Sequence, residues 1–212
     1  MSEIRFYLNP RFILGWRWLV FGLALVPWAL WVGQVMQGQA GPEPGRYLLL
    51  NLGHGALWCL LLTLSLTPLT RLTGWKGFRV IRRQLGLWSL AYALMHLLCY
   101  VLFILGLEWS QLGKELVERP YIIVGALALT GLVVLGITSN RWAMQRLGRR
   151  WKPLHKSVYV ILMLVMLHFL WVVRADLSTW SAYALVAAGL MLLRWPPLAR
   201  RLSRRPRRMA SS

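Results

Sequence analysis

Acidic residues are scarce in this chain: 6 Asp and Glu stand against 25 Lys and Arg among 212 residues, a formal net charge of +19. Such a charge alone is typical of nucleic-acid-binding proteins. Charged residues nevertheless make up only 15% of the chain and hydrophobic residues 58%, with a mean hydropathy of +0.52. A soluble domain of this length carries more charge and fewer long apolar runs. The composition therefore predicts a membrane protein with basic loops and no nucleic-acid partner.

Cysteine is also rare, and its placement excludes several cofactor sites. Cys59 and Cys99 both lie in apolar runs and form no CxxC pair, so neither a zinc site of that type nor a thioredoxin-like motif is available. The chain lacks CxxCH, which excludes covalent c-type haem attachment by the usual signature. It also lacks a glycine-rich nucleotide loop, so no NAD(P)H site is expected.

Long apolar runs are what the sequence has in abundance. Six of them approach or exceed the about 20 residues that a helix needs to cross a hydrocarbon core. They predict an all-α, polytopic membrane protein, a six-transmembrane-helix bundle that forms a single domain over residues 1–212. The predicted helices are 18–35, 47–69, 85–107, 120–139, 154–173 and 177–193, followed by a basic tail, 194–212. Pro68 and Pro120 are expected at helix ends, where proline costs little.

The charges between the runs predict the orientation of the bundle. The N-terminus, the 70–83 loop, the 140–156 region and the tail share one side and carry 21 of the 25 basic residues. The opposite side holds five of the six acidic residues. The positive-inside rule makes the basic side, and with it both termini, cytoplasmic. The tail is also expected to bind anionic membrane lipid.

All four histidines lie in or at the edge of predicted membrane helices: His54, His96, His155 and His168. An ionisable side chain at membrane depth is costly, and it usually has a partner and a function. One interpretation is a neutral imidazole that hydrogen-bonds a neighbouring helix. The other is a ligand for a cofactor.

The depths of the histidines favour one kind of cofactor site. His96 lies near the midplane of the third helix, whereas His155 opens the fifth helix and His168 lies about 20 Å further along it. Two imidazoles so far apart on one helix cannot share a zinc ion. No acidic residue lies inside a predicted helix to form a proton relay. Bis-histidine ligation of b-type haem needs one imidazole from each of two facing helices and no acid.

Four stretches carry a family resemblance: RRQLGLWSLAYALMHL (82–97), GKELVERPYIIVG (113–125), TSNRWAMQRLGRRWKPLHKSVYV (138–160) and LHFLW (167–171). They resemble the MsrQ family, formerly called YedZ, and the resemblance covers nearly the whole chain. This family is similar to the ferric-reductase-like transmembrane domains of NADPH oxidases and STEAP proteins.

The resemblance implies a function in electron transfer. The chain would be the subunit of the MsrPQ system that binds haem b and FMN in the bacterial inner membrane. Its electrons would come from the quinone pool or a cytoplasmic flavin reductase. They would pass to MsrP, a periplasmic molybdopterin enzyme that reduces methionine sulfoxide in oxidised proteins. The chain would form a heterodimer with MsrP and would not act on methionine sulfoxide alone.

The haem-linked histidines of the family match His96, His155 and His168. By depth, His96 and His168 suit a single haem in the outer half of the membrane. His155 then either ligates a second, inner haem or holds a propionate or a flavin. His54 matches no histidine of the family and is expected to be a polar side chain near the outer interface.

Arginines and loops complete the expected site. Four arginines are candidates to bind flavin phosphate or haem propionates, or serve only as positive-inside markers. These are Arg82, Arg83, Arg149 and Arg150. Electrons are expected to leave near the 107–119 and 174–177 loops.

Two alternative functions remain open from the sequence. A stand-alone ferric or metal reductase of the same fold would reduce ferric chelates without a periplasmic partner. A haem-free transporter or membrane anchor, with histidines that only bridge helices, would show no haem absorption.

Overall fold

The computed structural model describes residues 9–173 and 177–198, and it is helical throughout, with no strand among these residues. Short turns of π-helix (Tyr100–Ile104) and 3₁₀-helix (Trp109–Gln111 and Gly148–Arg150) join the α-helices. The α-helices are α1 (Pro10–Met36), α2 (Pro44–Thr73), α3 (Gly77–Cys99), α4 (Leu112–Glu118), α5 (Tyr121–Ile137), α6 (Arg141–Leu147), α7 (Trp151–Lys156), α8 (Val158–Val172) and α9 (Leu177–Leu192). Arg5, the 174–176 segment and most of the predicted basic tail lie outside the described residues.

Local side-chain chemistry sets several helix ends. The side chain of Asn9 accepts a hydrogen bond from the backbone N–H of Arg11 at the start of α1, and Asn140 accepts one from Ala143 at the start of α6. Such caps satisfy N–H groups that have no partner inside the helix. α2 ends at Gly74, whose φ of 73° is readily adopted only by glycine.

Pro68 lies inside α2 and not at its end, which corrects the sequence-based expectation. A proline within a helix removes one N–H donor and leaves the carbonyl four residues earlier without its helical partner. That carbonyl belongs to Leu64, and the guanidinium of Arg194 donates a hydrogen bond to it. The replacement donor explains how α2 runs on to Thr73 despite the proline.

Four helical segments are long and apolar enough to cross a membrane: α1, α2, Gly77–Ile104 and Arg141–Val172. Trp109–Glu118 and Tyr121–Ile137, bent by 107° relative to each other, form a fifth candidate if they are one broken span. α9 is apolar but has only 16 residues. The described residues therefore give four to five candidate spans, and the count of six stays a prediction.

Two helix pairs form the centre of the bundle. α3 packs along α2 and α8 packs along α5, while α1 flanks α3 and α9 covers α2 and α8. The largest core cluster joins Leu64 of α2, Leu132 of α5 and Leu162 of α8. Large apolar side chains on the outer faces stay exposed, such as Met163 and Leu185. A bundle that is apolar outside as well as inside suits a lipid environment.

The two ends of the bundle differ in charge. One end, here called the basic end, comprises residues 71–83, 141–156 and 194, where α2 and α9 end and α3 and α8 begin. The opposite, acidic end carries all four described carboxylates, which are Glu43, Glu108, Glu115 and Glu118. Three of these pair with neighbouring basic residues, as Arg46–Glu43, Lys114–Glu118 and Arg119–Glu115.

Candidate metal centre

His96 lies near the end of α3, in the half of the bundle towards the acidic end. Its Nδ1 is 2.7 Å from the carbonyl oxygen of Leu49 in α2. Gly53 lies one helical turn after Leu49, and a Cβ at Gly53 would be 3.1 Å from the same Nδ1. Glycine therefore provides the space that lets the ring approach the α2 backbone. A π-helical turn, a feature frequent at functional sites, follows directly at Tyr100.

His168 lies near the end of α8 and is held in the same way. Its Nδ1 is 2.7 Å from the carbonyl oxygen of Tyr121, the first residue of α5. Gly125 follows one turn later, and a Cβ at Gly125 would be 2.8 Å from Nδ1 of His168. This approach is tighter than the one at Gly53, so any larger residue there would displace the ring or the helix.

The two histidines occupy equivalent positions in two helix pairs. Each lies 47 residues after the residue whose carbonyl it contacts. In each pair, a glycine also follows that residue by four positions. The α2–α3 and α5–α8 pairs thus present their imidazoles through the same arrangement. This relationship is not among the sequence-based predictions, although the equal spacing of glycine and histidine in the two halves signals it.

The hydrogen bonds set which ring nitrogen is available for a ligand. A carbonyl oxygen only accepts, so Nδ1 of a neutral imidazole must carry the proton and donate. Nε2 then has a free lone pair, and in both His96 and His168 it makes no hydrogen bond to any described residue. This is the state of metal-binding histidines, whose second nitrogen donates to a carbonyl or carboxylate.

The two rings have the separation that a shared metal ion requires. Their centroids are 6.2 Å apart and their planes are inclined by 88°. A metal–nitrogen bond of about 2.0 Å, plus about 1.1 Å from nitrogen to ring centroid, places two opposed imidazoles about 6.2 Å apart. The backbones of α3 and α8 do not pack closely against each other, so the two rings lie between helices that are not in close backbone contact.

The donor set narrows the kind of metal site. Within residues 9–173 and 177–198 there is no group of three or more His, Cys, Asp or Glu side chains that could hold a metal ion. Two opposed imidazoles leave four positions around a metal, which a planar tetrapyrrole fills with its own nitrogens. The imidazole pair, with the lone pair of each Nε2 available, fits the ligand set of a b-type haem.

Comparison with known proteins identifies the family of this chain. Residues 52–167 match the family described as the ferric reductase like transmembrane component. Over 182 residues the chain is 39% identical to the protein-methionine-sulfoxide reductase heme-binding subunit MsrQ of Brucella anthropi, covering 84% of this chain and 80% of that protein. The chain belongs to the MsrQ family. It is a multi-pass membrane protein. No solved structure matches it significantly.

His54 lies beside the imidazole pair of this MsrQ family member but points into an aromatic cluster. Its ring stands edge-on to Phe169, with centroids 5.3 Å apart, and stacks on Tyr183 at 6.0 Å. The indole N–H of Trp58 donates to the hydroxyl of Tyr183. Rings from α2, α8 and α9 therefore surround His54. One of them, Phe169, directly follows His168 in the chain.

His155 does not join the other two family histidines. Its Nε2 is 3.1 Å from Oγ1 of Thr138, and its ring stacks on Trp151 with centroids 4.1 Å apart. It lies at the basic end, within range of electrostatic interaction with Arg82. Of the three predicted metal ligands, the structure thus brings together His96 and His168 and places His155 separately.

The four predicted arginines all lie at the basic end, and they are exposed: Arg82, Arg83, Arg149 and Arg150. Arg82 lies within range of electrostatic interaction with Arg194. The sequence predicts Arg194 as the start of the tail, whereas the structure folds it back against α2 and α8. A proline inside α2 was the available signal, since it predicts a carbonyl in need of a donor.

Proposed function

We propose that this chain is the haem b electron-transfer subunit of a methionine sulfoxide reductase system in the bacterial inner membrane. It takes electrons from the quinone pool, with FMN as an intermediate carrier, and delivers them to an MsrP-like periplasmic molybdopterin reductase that repairs oxidised proteins. The observation that carries the proposal is the 6.2 Å separation of the His96 and His168 rings, whose Nε2 atoms remain free.

The relationship to other proteins supports the same proposal. The Brucella anthropi relative is named as the heme-binding subunit of a protein-methionine-sulfoxide reductase. The matched family is described as ferric reductase like. Both descriptions refer to redox proteins, and the name of the relative supports a partner reductase that acts on methionine sulfoxide in proteins.

In this proposal the Nε2 atoms of His96 and His168 would hold the haem iron. The carbonyls of Leu49 and Tyr121 hold each ring in the Nδ1–H tautomer and fix its orientation. A bound haem would supply one-electron redox chemistry, whose potential depends on axial ligands, burial and nearby charge. Because the pair lies towards the acidic end, electrons leave the protein there, close to the partner reductase.

The proposed topology has six spans, with both termini cytoplasmic and residues 1–212 in one transmembrane domain. α9, at about 1.5 Å per residue, is about 24 Å long, which suffices for a thin or locally thinned hydrocarbon region. α4 then lies at the acidic, periplasmic end, and α5 crosses the membrane back to the basic end. The basic tail lies on the cytoplasmic surface and binds anionic lipid.

The basic end is the proposed entry for electrons. In this proposal FMN binds there, held by charged hydrogen bonds from Arg82, Arg83, Arg149 and Arg150 and by His155. Quinol or a flavin reductase would deliver electrons at this side of the membrane. His155 in α7 and His168 in α8 are 13 residues apart, a rise of about 20 Å, which separates this entry from the haem pair.

A haem count on matched variants tests the proposal. The purified full chain should show a low-spin b-type spectrum, with one haem per chain by pyridine haemochrome. His96→Ala and His168→Ala should each lose the low-spin signal. A colourless, folded wild-type protein, or low-spin haem retained in either variant, would overturn the assignment.

Partner dependence separates the proposed function from a stand-alone ferric reductase. The reduced chain should be reoxidised when an MsrP-like reductase and methionine sulfoxide are added together, and not by methionine sulfoxide alone. Rapid reoxidation by ferric chelates, with none by the reductase and its substrate, would assign the chain to metal reduction instead.

A further inference from the structure

We propose that Glu115 is a positioning residue for the imidazole pair, because it links the end of α3, which carries His96, to the start of α5, which holds the ring of His168. The inference deepens the proposed function and rests on it for the haem that the two imidazoles would bind. It comes from a continuous set of contacts that runs from one histidine to the other past the short helix α4.

Glu115 differs from the other carboxylates at the acidic end. Its side chain is 19% exposed, against 64% for Glu43 and 55% for Glu118. Among the carboxylates that the structure describes, the other three each contact a residue three or four positions away in the chain. Glu115 also reaches a different helical segment, since the hydroxyl of Tyr100 donates to its Oε2 over 3.3 Å. A carboxylate shielded from water interacts more strongly with its partners than an exposed one.

Tyr100 connects Glu115 to the first histidine. It begins the π-helical turn Tyr100–Ile104, four residues after His96, and its backbone N–H donates to the carbonyl of His96. Helix ends open more easily than helix interiors because their last carbonyls lack helical partners. The contact between the Tyr100 hydroxyl and Glu115 therefore holds the end of α3 against α4.

Arg119 connects Glu115 to the second histidine. Its Nη1 is 3.2 Å from the same Oε2 that accepts from Tyr100. The carbonyl of Arg119 accepts a hydrogen bond from the N–H of Ile122, in the first turn of α5. Tyr121 lies between these two residues, and its carbonyl accepts the hydrogen bond from Nδ1 of His168. A shift of Arg119 would therefore move the acceptor that orients the His168 ring.

The helix α4 depends on polar contacts because it is poorly packed. None of its residues is buried, and Val117 is 82% exposed. Its seven residues are also too few for a helix that is stable by itself. Apolar burial therefore contributes little to its attachment, and loss of the Glu115 carboxylate should release the end of α3 and the start of α5 together.

The first test is hydrogen exchange of the full chain in detergent micelles, followed by mass spectrometry of the peptides 112–119 and 120–126. Glu115→Ala removes both contacts and should speed exchange of the backbone amides in both peptides about tenfold. Glu118→Ala, which removes an exposed carboxylate from the same helix, is the matched control and should leave the peptide 120–126 unchanged. Equal exchange in wild type and Glu115→Ala would overturn the proposal.

A double-mutant cycle tests whether Tyr100 acts through Glu115. Tyr100→Phe removes only the hydroxyl and should speed exchange of the peptide 112–119 about fivefold in the wild-type background. In the Glu115→Ala background the same substitution should have no further effect, because its acceptor is already absent. Effects that multiply in the double variant would show that the two side chains act independently, and the proposed link would fail.

The electron paramagnetic resonance spectrum of the ferric protein tests the effect on the rings. Wild type and Glu118→Ala should show a single low-spin signal, since each ring is held at one angle. Glu115→Ala should add a second low-spin component, because the His168 ring can then adopt other angles about the iron. Faster exchange in Glu115→Ala with an unchanged signal would show that the link does not position the ring.

Failure of this proposal can be distinguished from failure of haem binding. Hydrogen exchange needs no haem, so it decides whether the link exists even in a colourless protein. A colourless wild type with faster exchange in Glu115→Ala would overturn the haem assignment and the role towards the haem, and it would leave the link between α3 and α5 established. A low-spin wild type with equal exchange in all variants would overturn only the link.

Discussion

The imidazole planes of His96 and His168 are inclined by 88° to each other, with their centroids 6.2 Å apart. Each ring is fixed by a hydrogen bond to the backbone of a different helix, so neither can rotate without losing that bond. The relative orientation is therefore a property of the two helix pairs, and it has a spectroscopic consequence.

We predict a strongly anisotropic low-spin electron paramagnetic resonance signal from the ferric protein. Perpendicular axial imidazoles leave two iron d orbitals nearly equal in energy, whereas parallel imidazoles separate them and give a three-line rhombic signal. The axial ligands are among the protein's main means of tuning the iron. A rhombic spectrum of the purified chain at low temperature would contradict the ring orientation described above.

Glycine-to-alanine substitutions should affect the two rings unequally. At Gly125 the new Cβ would be 2.8 Å from Nδ1 of His168, and at Gly53 it would be 3.1 Å from Nδ1 of His96. Gly125→Ala should therefore lower the haem content more than Gly53→Ala and shift the midpoint potential of any haem that remains. Both effects are measured by haemochrome content and redox titration.

Gly22→Ala in α1 is the matched control for these substitutions. A Cβ at Gly22 would meet nothing within 4 Å, and alanine is the better helix former by about 1 kcal/mol. This variant should keep full haem content. If it loses as much haem as Gly125→Ala, the effect comes from general perturbation of the membrane helices and not from the rings.

Much of this arrangement follows from the sequence because it depends on local pattern. Long apolar runs identify the helices, and counting residues along α3 and α8 places His96 and His168 at a similar depth. No residue count could show that His155 hydrogen-bonds Thr138, or that Nδ1 of each paired ring contacts a carbonyl. These contacts depend on how each helix is rotated about its own axis. That rotation is set by the side chains that pack between neighbouring helices.

The position of Arg194 was hidden for a related reason. A run of arginines after the last apolar helix is typical of a solvated tail. Its contact with α2 depends on the carbonyl of Leu64, which Pro68 leaves without a helical donor. Leu64 and Arg194 are 130 residues apart in the sequence. Long-range hydrogen bonds of this kind leave no periodic signal.

Reporter fusions should establish the number of spans. With six spans, alkaline phosphatase should be active after Gly41 and after Trp109, and inactive after Trp75 and after Ser212. A green fluorescent protein fusion at each position should show the reverse pattern. Phosphatase activity at Ser212 would mean an odd number of crossings and would show that α9 does not span the membrane.

A double-mutant cycle should reveal the hydrogen bond that compensates for Pro68. Arg194→Ala leaves the Leu64 carbonyl without a donor and should lower the free energy of unfolding by about 1–3 kcal/mol. Pro68→Ala restores the backbone N–H, so the same arginine substitution in that background should cost about 1 kcal/mol less. Unfolding is measured by helicity during titration with sodium dodecyl sulfate.

Tyr159→Phe, which removes only the hydroxyl contact of Arg194, is the control and should cost the same free energy of unfolding in both backgrounds. Additive effects of Arg194→Ala and Pro68→Ala would show that the guanidinium does not replace the missing helical donor.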